Sequence, residues 1–115
     1  MIYVTYDILK GWGIHVRVSK LNDNDAVRAQ QIFKSLSNPV RMKLLYVLED
    51  GKQNVSTIAE KLGLEQSVVS HQLATLRNNH LVASERIGKQ VFYELDDCHV
   101  LSILDSVMEH VQHIE

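Results

Sequence analysis

The chain has 115 residues, of which 45% are hydrophobic and 23% are charged, and its formal net charge is −2. These values are typical of one soluble globular domain with a modest core. No apolar run approaches the roughly 18 residues of a membrane span, and the first residues lack the pattern of a secretory signal peptide. The single cysteine, Cys98, excludes an internal disulfide. We therefore expect a cytoplasmic protein without a membrane partner.

The charges are unevenly distributed along the chain. Residues 26–93 carry nine basic and five acidic side chains, whereas residues 94–115 carry six acidic side chains and no basic one. The basic middle would suit a phosphate-bearing partner, and the acidic C-terminal part would suit cations. Solvated surfaces without a partner would give the same pattern.

The N-terminal residues 1–21 differ in pattern from the rest. Two runs of alternating apolar and polar residues, one around Val4 and one around Val16, flank Gly11-Trp12-Gly13. This alternation is typical of a hairpin. A flexible arm is the alternative, and no function is predicted for this segment.

From residue 22 the apolar spacing is helical. Asp23 or Asn24 is predicted to cap a first helix. Pro39 suits the first position of a second helix, which is predicted to end near Gly51.

A third and a fourth helix follow, joined by a short turn. The third is predicted to begin around Ser56, with residues 57–60 in capping-box form, and to end at Gly63, which can take a positive φ. The fourth is predicted to span about residues 66–79. Its predicted buried stripe consists of Val69, Leu73 and Leu76.

Two strands and a last helix complete the pattern. Residues 81–87 and 90–95 are predicted to form a hairpin around Gly88-Lys89. Asp96 is predicted to cap a helix that runs to the C-terminus. The broad apolar stripe of this helix suggests packing on both its own domain and a partner; it contains Val100, Leu101, Ile103, Leu104, Val107, Met108, Val111 and Ile114.

The element order predicts a winged helix-turn-helix, mainly α with a small β-hairpin. The second helix of such a pair enters the major groove, where glutamine and serine can contact bases and basic side chains can contact phosphates. The candidate DNA-binding residues are Gln66, Ser67, Ser70, His71, Arg77, Arg86 and Lys89. A helical hairpin with a polar face and no DNA partner is the plainer alternative.

The last predicted helix carries four possible metal ligands: Asp97, His99, His110 and His113. His110 follows His99 by eleven residues, about 16 Å of helix, which is too far for one ion with bonds of about 2 Å. The midpoints of the outer pair and of the inner pair both fall near residue 105. A second, antiparallel copy of the helix would therefore bring the pairs together, and two-fold symmetry would give two sites per homodimer.

The ligand set suits zinc, with cobalt as a surrogate, because one carboxylate and three imidazoles complete a tetrahedron. Imidazole must be deprotonated to bind, so the affinity is expected to fall below about pH 6. Cys98 is expected to pack rather than bind. Taken singly, the same residues are more often helix caps or partners of the helix dipole. An enzyme is not predicted, because no phosphate loop, nucleophile signature or open metal position is found.

Two segments resemble the ArsR/SmtB family of bacterial metal-sensing repressors: residues 62–73 (LGLEQSVVSHQL) and residues 33–41 (FKSLSNPVR). The resemblance covers residues 25–115. It implies a homodimer, paired through its terminal helices, that binds double-stranded operator DNA and usually binds it less tightly with metal. The four candidate ligands resemble those of the zinc-sensing subgroup. We accordingly divide the chain into an atypical extension, residues 1–21, and a winged helix-turn-helix DNA-binding and dimerisation domain, residues 22–115.

Two departures from the family pattern narrow the prediction. Glu65 stands where the family often has a serine cap, and residues 47–51 lack the cysteine motif of soft-metal and arsenite sensors. The leading prediction is a zinc-responsive repressor. One alternative is a winged-helix regulator with another effector or a vestigial metal site. Another is a small zinc-binding protein without DNA activity.

Overall fold

The computed structural model describes residues 20–114, and this part of the chain is mainly helical. Within the described residues, 20–31 belong to one unit and 32–114 to a second, compact unit. The hairpin predicted within residues 1–21 lies outside the described residues. The elements are α1 (Asp23–Leu36), α2 (Pro39–Val47), a 3₁₀ helix (Leu48–Asp50), β1 (Gln53–Asn54), α3 (Val55–Leu62), α4 (Gln66–Asn78), β2 (Val82–Ile87), β3 (Gln90–Leu95) and α5 (His99–Gln112).

The predicted winged helix-turn-helix is confirmed. Helix α3 ends at Gly63, whose φ of +66° is left-handed, and the turn leads directly into α4. Strands β2 and β3 pair in the predicted hairpin register, from Val82 opposite Leu95 to Ile87 opposite Gln90. Gly88 takes a φ of +63° in the connecting turn. The hairpin forms the wing.

A third strand extends the predicted hairpin into a sheet. Gln53 of β1 pairs with Tyr93 of β3, so the strand order is β1-β3-β2. The Gln53 side chain is buried and donates to the carbonyl oxygen of Val47 at 2.8 Å. Two residues cannot show a strand-like alternation, which is why the sequence pattern did not indicate β1.

The predicted caps of α1 and α3 are wrong by one to three residues. Asn22, not Asp23 or Asn24, accepts from the backbone N–H of Asp25 at 2.9 Å. Asn54 accepts from the backbone N–H of Thr57 at 2.8 Å, so Thr57 does not start a capping box. Asn54 can do this because it ends β1 in an extended conformation, which turns its side chain over the first turn of α3.

The start of α5 also differs from the prediction. Asp96 is not the capping residue of the helix, and its backbone N–H donates to the carbonyl oxygen of Leu81. Cys98 occupies the capping position without a side-chain hydrogen bond, and Asp97, one residue earlier, accepts from the backbone N–H of His99 at 2.8 Å. The helix ends at Gln112 rather than at the last residue.

The core of the second unit is built around α4. Val69, Leu73 and Leu76 have no exposed surface, which confirms the predicted stripe. They pack with leucines of α2, with Ile58 of α3 and with Tyr93 of the sheet. Burial of this stripe fixes the rotation of α4, so its polar side chains point away from the core.

The cap of α3 provides a test of the local structure. We expect Asn54→Ala to lower the free energy of unfolding by about 1 kcal/mol, because a first-turn N–H loses its acceptor. The variant also loses the 3.1 Å hydrogen bond from Asn54 to Gln90 on the wing. Thr57→Ala is the control and is expected to cost less than about 0.5 kcal/mol, since the Thr57 side chain is exposed. Urea denaturation of both variants measures the difference, and a larger loss for Thr57→Ala would favour the capping box.

Candidate nucleic-acid interface and metal site

The N-terminal half of α4 presents a polar, solvent-exposed surface. Gln66, Ser67, Ser70 and His71 are all exposed, and they lie on the opposite side of the helix from the buried stripe. Side chains of this size let a backbone approach a groove wall, and their donors and acceptors match base edges and phosphates. The arrangement is that of a recognition helix.

The first turn of α4 is uncapped. Glu65 has an extended backbone, and its side chain accepts no hydrogen bond from the helix. The backbone N–H groups at this end therefore remain available to an anionic partner, and the helix dipole favours one. A serine in place of Glu65 would compete for these donors.

A cleft of about 410 Å³ connects the recognition helix with the wing. It contains three of the seven predicted DNA-binding residues: Gln66, Ser70 and Lys89. Ser67, His71, Arg77 and Arg86 are exposed but do not line it. The sequence analysis missed its other lining residues, Asn54, Val55, Ser56, Gln90 and Val91. An asparagine before a helical run was the available signal, because asparagine is a preferred N-cap.

Two polar contacts position the wing. The Asn54 side chain donates to Gln90 at 3.1 Å and so ties the start of α3 to β3, next to Lys89. The Lys52 ammonium donates to the Glu85 carboxylate, and this hydrogen bond raises the pKa of Lys52. Glu85 precedes Arg86 on β2. Because Lys52 pairs with Glu85, the positive charge of Lys52 offsets the negative charge next to Arg86.

The Asp97 and His99 side chains lie together at the start of α5. Oδ1 of Asp97 is 3.4 Å from Nδ1 of His99, and both side chains are mostly exposed. Bonds of about 2.0–2.1 Å at a tetrahedral angle place two ligand atoms about 3.4 Å apart. The pair therefore has the spacing of two adjacent zinc ligands.

His110 and His113 lie at the other end of α5. Both are exposed, and His113 follows the last helical residue, where its N–H donates to the carbonyl oxygen of His110 at 3.1 Å. Within residues 20–114, no three His, Cys, Asp or Glu side chains are close enough to bind one ion. Cys98 is exposed, so the expectation that it packs is wrong.

The apolar stripe of α5 is only half covered. Val100, Leu101 and Leu104 are buried in the core of the chain. Farther along, Val107 and Val111 on the helix and Ile114 just beyond it are 53%, 49% and 62% exposed, and they lie near His110 and His113 in the sequence. Contiguous exposed apolar surface of this kind marks an interaction site.

Comparison with known proteins identifies the family. The model of bacterial regulatory proteins of the arsR family matches residues 38–84. The transcriptional regulator NmtR of Mycobacterium tuberculosis is 38% identical over 82% of this chain and 78% of its own length. The chain belongs to the arsR family. The repressor SmtB homolog of Synechocystis is 34% identical over 77% of this chain and 67% of its own length.

Comparison with solved structures agrees with this family assignment. A solution structure of the homodimeric winged helix-turn-helix DNA-binding domain of a possible ArsR-family regulator from Mycobacterium bovis has a TM-score of 0.70. It is 25% identical and covers 82% of this chain and 94% of that one. These arsR-family relatives are transcription regulators, which confirms that the chain is not an enzyme. No helix among residues 20–114 is long and apolar enough to cross a membrane.

The two kinds of predicted DNA contact can be separated by mutation. We expect Gln66→Ala to weaken operator binding by about 1–3 kcal/mol while leaving binding to unrelated DNA within about twofold, because a base contact carries sequence preference. We expect Lys89→Gln to weaken binding to both DNAs and to reduce the salt slope by about one, because a phosphate contact carries no sequence preference. Fluorescence anisotropy over a range of salt concentrations measures both, and equal losses on both DNAs for Gln66→Ala would remove that residue from the base-reading set.

Proposed function

We propose that the chain is a zinc-responsive transcriptional repressor that binds operator DNA as a homodimer and binds it less tightly with zinc. The observation that carries the proposal is the 3.4 Å spacing of Asp97 and His99 on an exposed helix whose other end carries His110 and His113. Membership of a family whose named members include repressors supports the DNA-binding half of the proposal.

The partner that completes the site is proposed to be a second copy of α5, running antiparallel. Exposed apolar side chains fill the stretch between the two ligand pairs, including Ile103, Val107 and Met108. With a two-fold axis near residue 105, the partner's α5 would cover this stripe. The same arrangement would place Asp97 and His99 beside the partner's His113 and His110. Dimerisation and metal binding would then use the same surface.

Zinc is proposed because of the donor set. Three imidazoles are borderline ligands that suit zinc, the carboxylate adds one oxygen that zinc also accepts, and four protein groups close the tetrahedron as in sites that bind without catalysing. Such a ligand set is poorly suited to calcium or magnesium, which prefer oxygen donors.

The proposed response depends on the distance between the two recognition helices of the dimer. Palindromic half-sites require one particular spacing of the two recognition helices. The crossing geometry of the paired α5 helices is proposed to set that spacing. The second imidazole nitrogen of His110 is proposed to donate to the backbone near His80, which follows α4 with a left-handed φ of +61°. By linkage, zinc and operator DNA must weaken each other's binding by the same factor.

The winged-helix regulator with a vestigial metal site is the second candidate. The exposure of all four candidate ligands leaves room for it, because exposed histidines and a capping aspartate need no metal. A small zinc-binding protein without DNA activity fits less well, since the family relatives are regulators.

A single substitution separates these candidates. We expect His110→Ala to keep the metal-free operator affinity within about twofold and to lose most of the zinc response, which typically corresponds to about 5- to 150-fold in affinity. Gln112→Ala, at an exposed position on the same helix, is the control and should respond like the wild type. Operator titrations with and without zinc give the result, and an unchanged response in His110→Ala would favour the vestigial site.

Mixed dimers test whether two chains share each site. One chain carries Asp97→Ala and His99→Ala, and the other carries His110→Ala and His113→Ala. Neither homodimer has a complete site, but the mixed dimer combines the intact pair of each chain in one of its two sites. We expect one zinc or cobalt ion per mixed dimer at wild-type affinity, measured by competition with a chromophoric chelator. Absence of tight binding in the mixed dimer would exclude an antiparallel shared site.

A further inference from the structure

Helix α2 lies between α5 and the recognition helix and is hydrogen-bonded to each through a different side chain. Near its C-terminal end, Oη of Tyr46 donates to Oδ1 of Asp105 on α5 at 2.9 Å. Near its N-terminal end, Nη1 of Arg41 donates to Oε1 of Gln72 on α4 at 2.8 Å. None of these four residues belongs to the proposed metal or DNA-binding sets.

The Tyr46–Asp105 contact marks the end of the attached part of α5. Val100, Leu101 and Leu104 bury the first half, whereas all described residues from 105 to 114 are exposed. Among the described residues, Asp105 is the α5 residue whose side chain hydrogen-bonds to another element. Burial and the Asp105 carboxylate both raise the pKa of Tyr46, as expected for a hydroxyl that donates to an anion.

The Arg41 guanidinium holds the other end of α2 in place. Besides Gln72, Arg41 donates from Nε to the carbonyl oxygen of Ser35 at 2.6 Å and from Nη2 to that of Lys34 at 3.2 Å. Its backbone N–H is capped by Asn38 at 3.0 Å. Gln72 directly follows His71, so this contact fixes α4 within one residue of its DNA-facing surface.

The helix between these contacts is short and well packed. Arg41 and Tyr46 are five residues apart, about 7.5 Å along the axis. Leu44 and Leu45, which lie between them, have no exposed surface. Because this helix has only nine residues and is packed on the core, we expect a displacement at Tyr46 to be carried to Arg41.

We infer that α2 couples α5, which carries the proposed metal ligands, to the recognition helix, with Tyr46 and Arg41 as positioning residues near the two ends of α2. The inference rests on the proposed function and assigns the route of its regulation. A displacement of about 1 Å between α5 and α2 is enough to break the Tyr46 hydrogen bond, whereas the apolar contacts beside it are non-directional. The bond therefore distinguishes two positions of α5 that the apolar contacts tolerate alike.

The test compares operator affinity with and without zinc in the wild type and in Tyr46→Phe. We expect the variant to keep its metal-free operator affinity, and its zinc affinity without DNA, within about twofold. We expect the ratio of operator affinities with and without zinc to shrink by about 2- to 30-fold, the range found for positions that carry coupling. A purely structural role would instead lower both affinities or the melting temperature without changing the ratio.

Matched variants control for the loss of a hydroxyl and of a charge. Tyr93→Phe removes a tyrosine hydroxyl from the sheet and should keep the full ratio. Asp105→Asn keeps an acceptor oxygen and should keep most of the ratio of operator affinities with and without zinc. Asp105→Ala should reduce that ratio as much as Tyr46→Phe does. Asp105→Ala also replaces Tyr46→Phe as the test if that variant fails to fold, which thermal unfolding reports.

The two ends of the route can be combined in one cycle. Arg41→Lys keeps the charge but not the forked geometry, so it should also reduce the ratio. The double variant with Tyr46→Phe should lose no more than the larger single loss, because both act on one route. If the wild type responds to zinc, two results would overturn this inference alone. One is additive losses of the ratio in the double variant, and the other is a Tyr46→Phe protein with the wild-type zinc response. A wild type that does not respond to zinc would overturn the proposed function and this inference together.

Discussion

Helix α5 is continuous from His99 to Gln112, but only its first half packs against its own chain. Rigidity of the helix holds the two candidate ligand pairs about 16 Å apart. The exposed apolar half cannot turn back onto the core without breaking the helix, so its burial requires another surface. At about 25 cal/mol per Å² of apolar surface, covering several large side chains on each chain gives a substantial driving force for pairing. One geometric constraint thus accounts for both the uncovered stripe and the separation of the two candidate ligand pairs.

The DNA-binding side depends on a comparable separation of roles within α4. Its buried stripe sets the rotation of the helix, and its first turn is left uncapped by Glu65. Asn54 serves two elements, because it caps α3 and also binds Gln90 on the wing. The position of the wing relative to α3 is therefore fixed by polar contacts at the cleft where Lys89 lies.

The sequence was sufficient for those features that depend on periodicity or on a special backbone conformation. The stripe of α4, Pro39 at a helix start, and the glycine turns at residues 63 and 88 were all predicted. The N-terminal caps of the helices were not predicted, because several neighbouring polar residues satisfy the same preference. Only the backbone conformation selects one of them. The Tyr46–Asp105 bond joins residues 59 positions apart, and no local pattern could indicate it.

Asp97 accepts a hydrogen bond at the start of α5, and under the proposed function it would also bind zinc. Oδ1 accepts from the backbone N–H of His99 at 2.8 Å and lies 3.4 Å from the imidazole of the same residue. This hydrogen bond orients the carboxylate, while further lone pairs remain free for a metal. In the proposed site, a ligand held in this way would lose little conformational entropy on binding, which would favour metal affinity at an exposed position. In the Asp-x-His motif at the start of α5, the first residue accepts from the backbone N–H of the third, and the two side chains lie 3.4 Å apart, the spacing that the proposed zinc site requires.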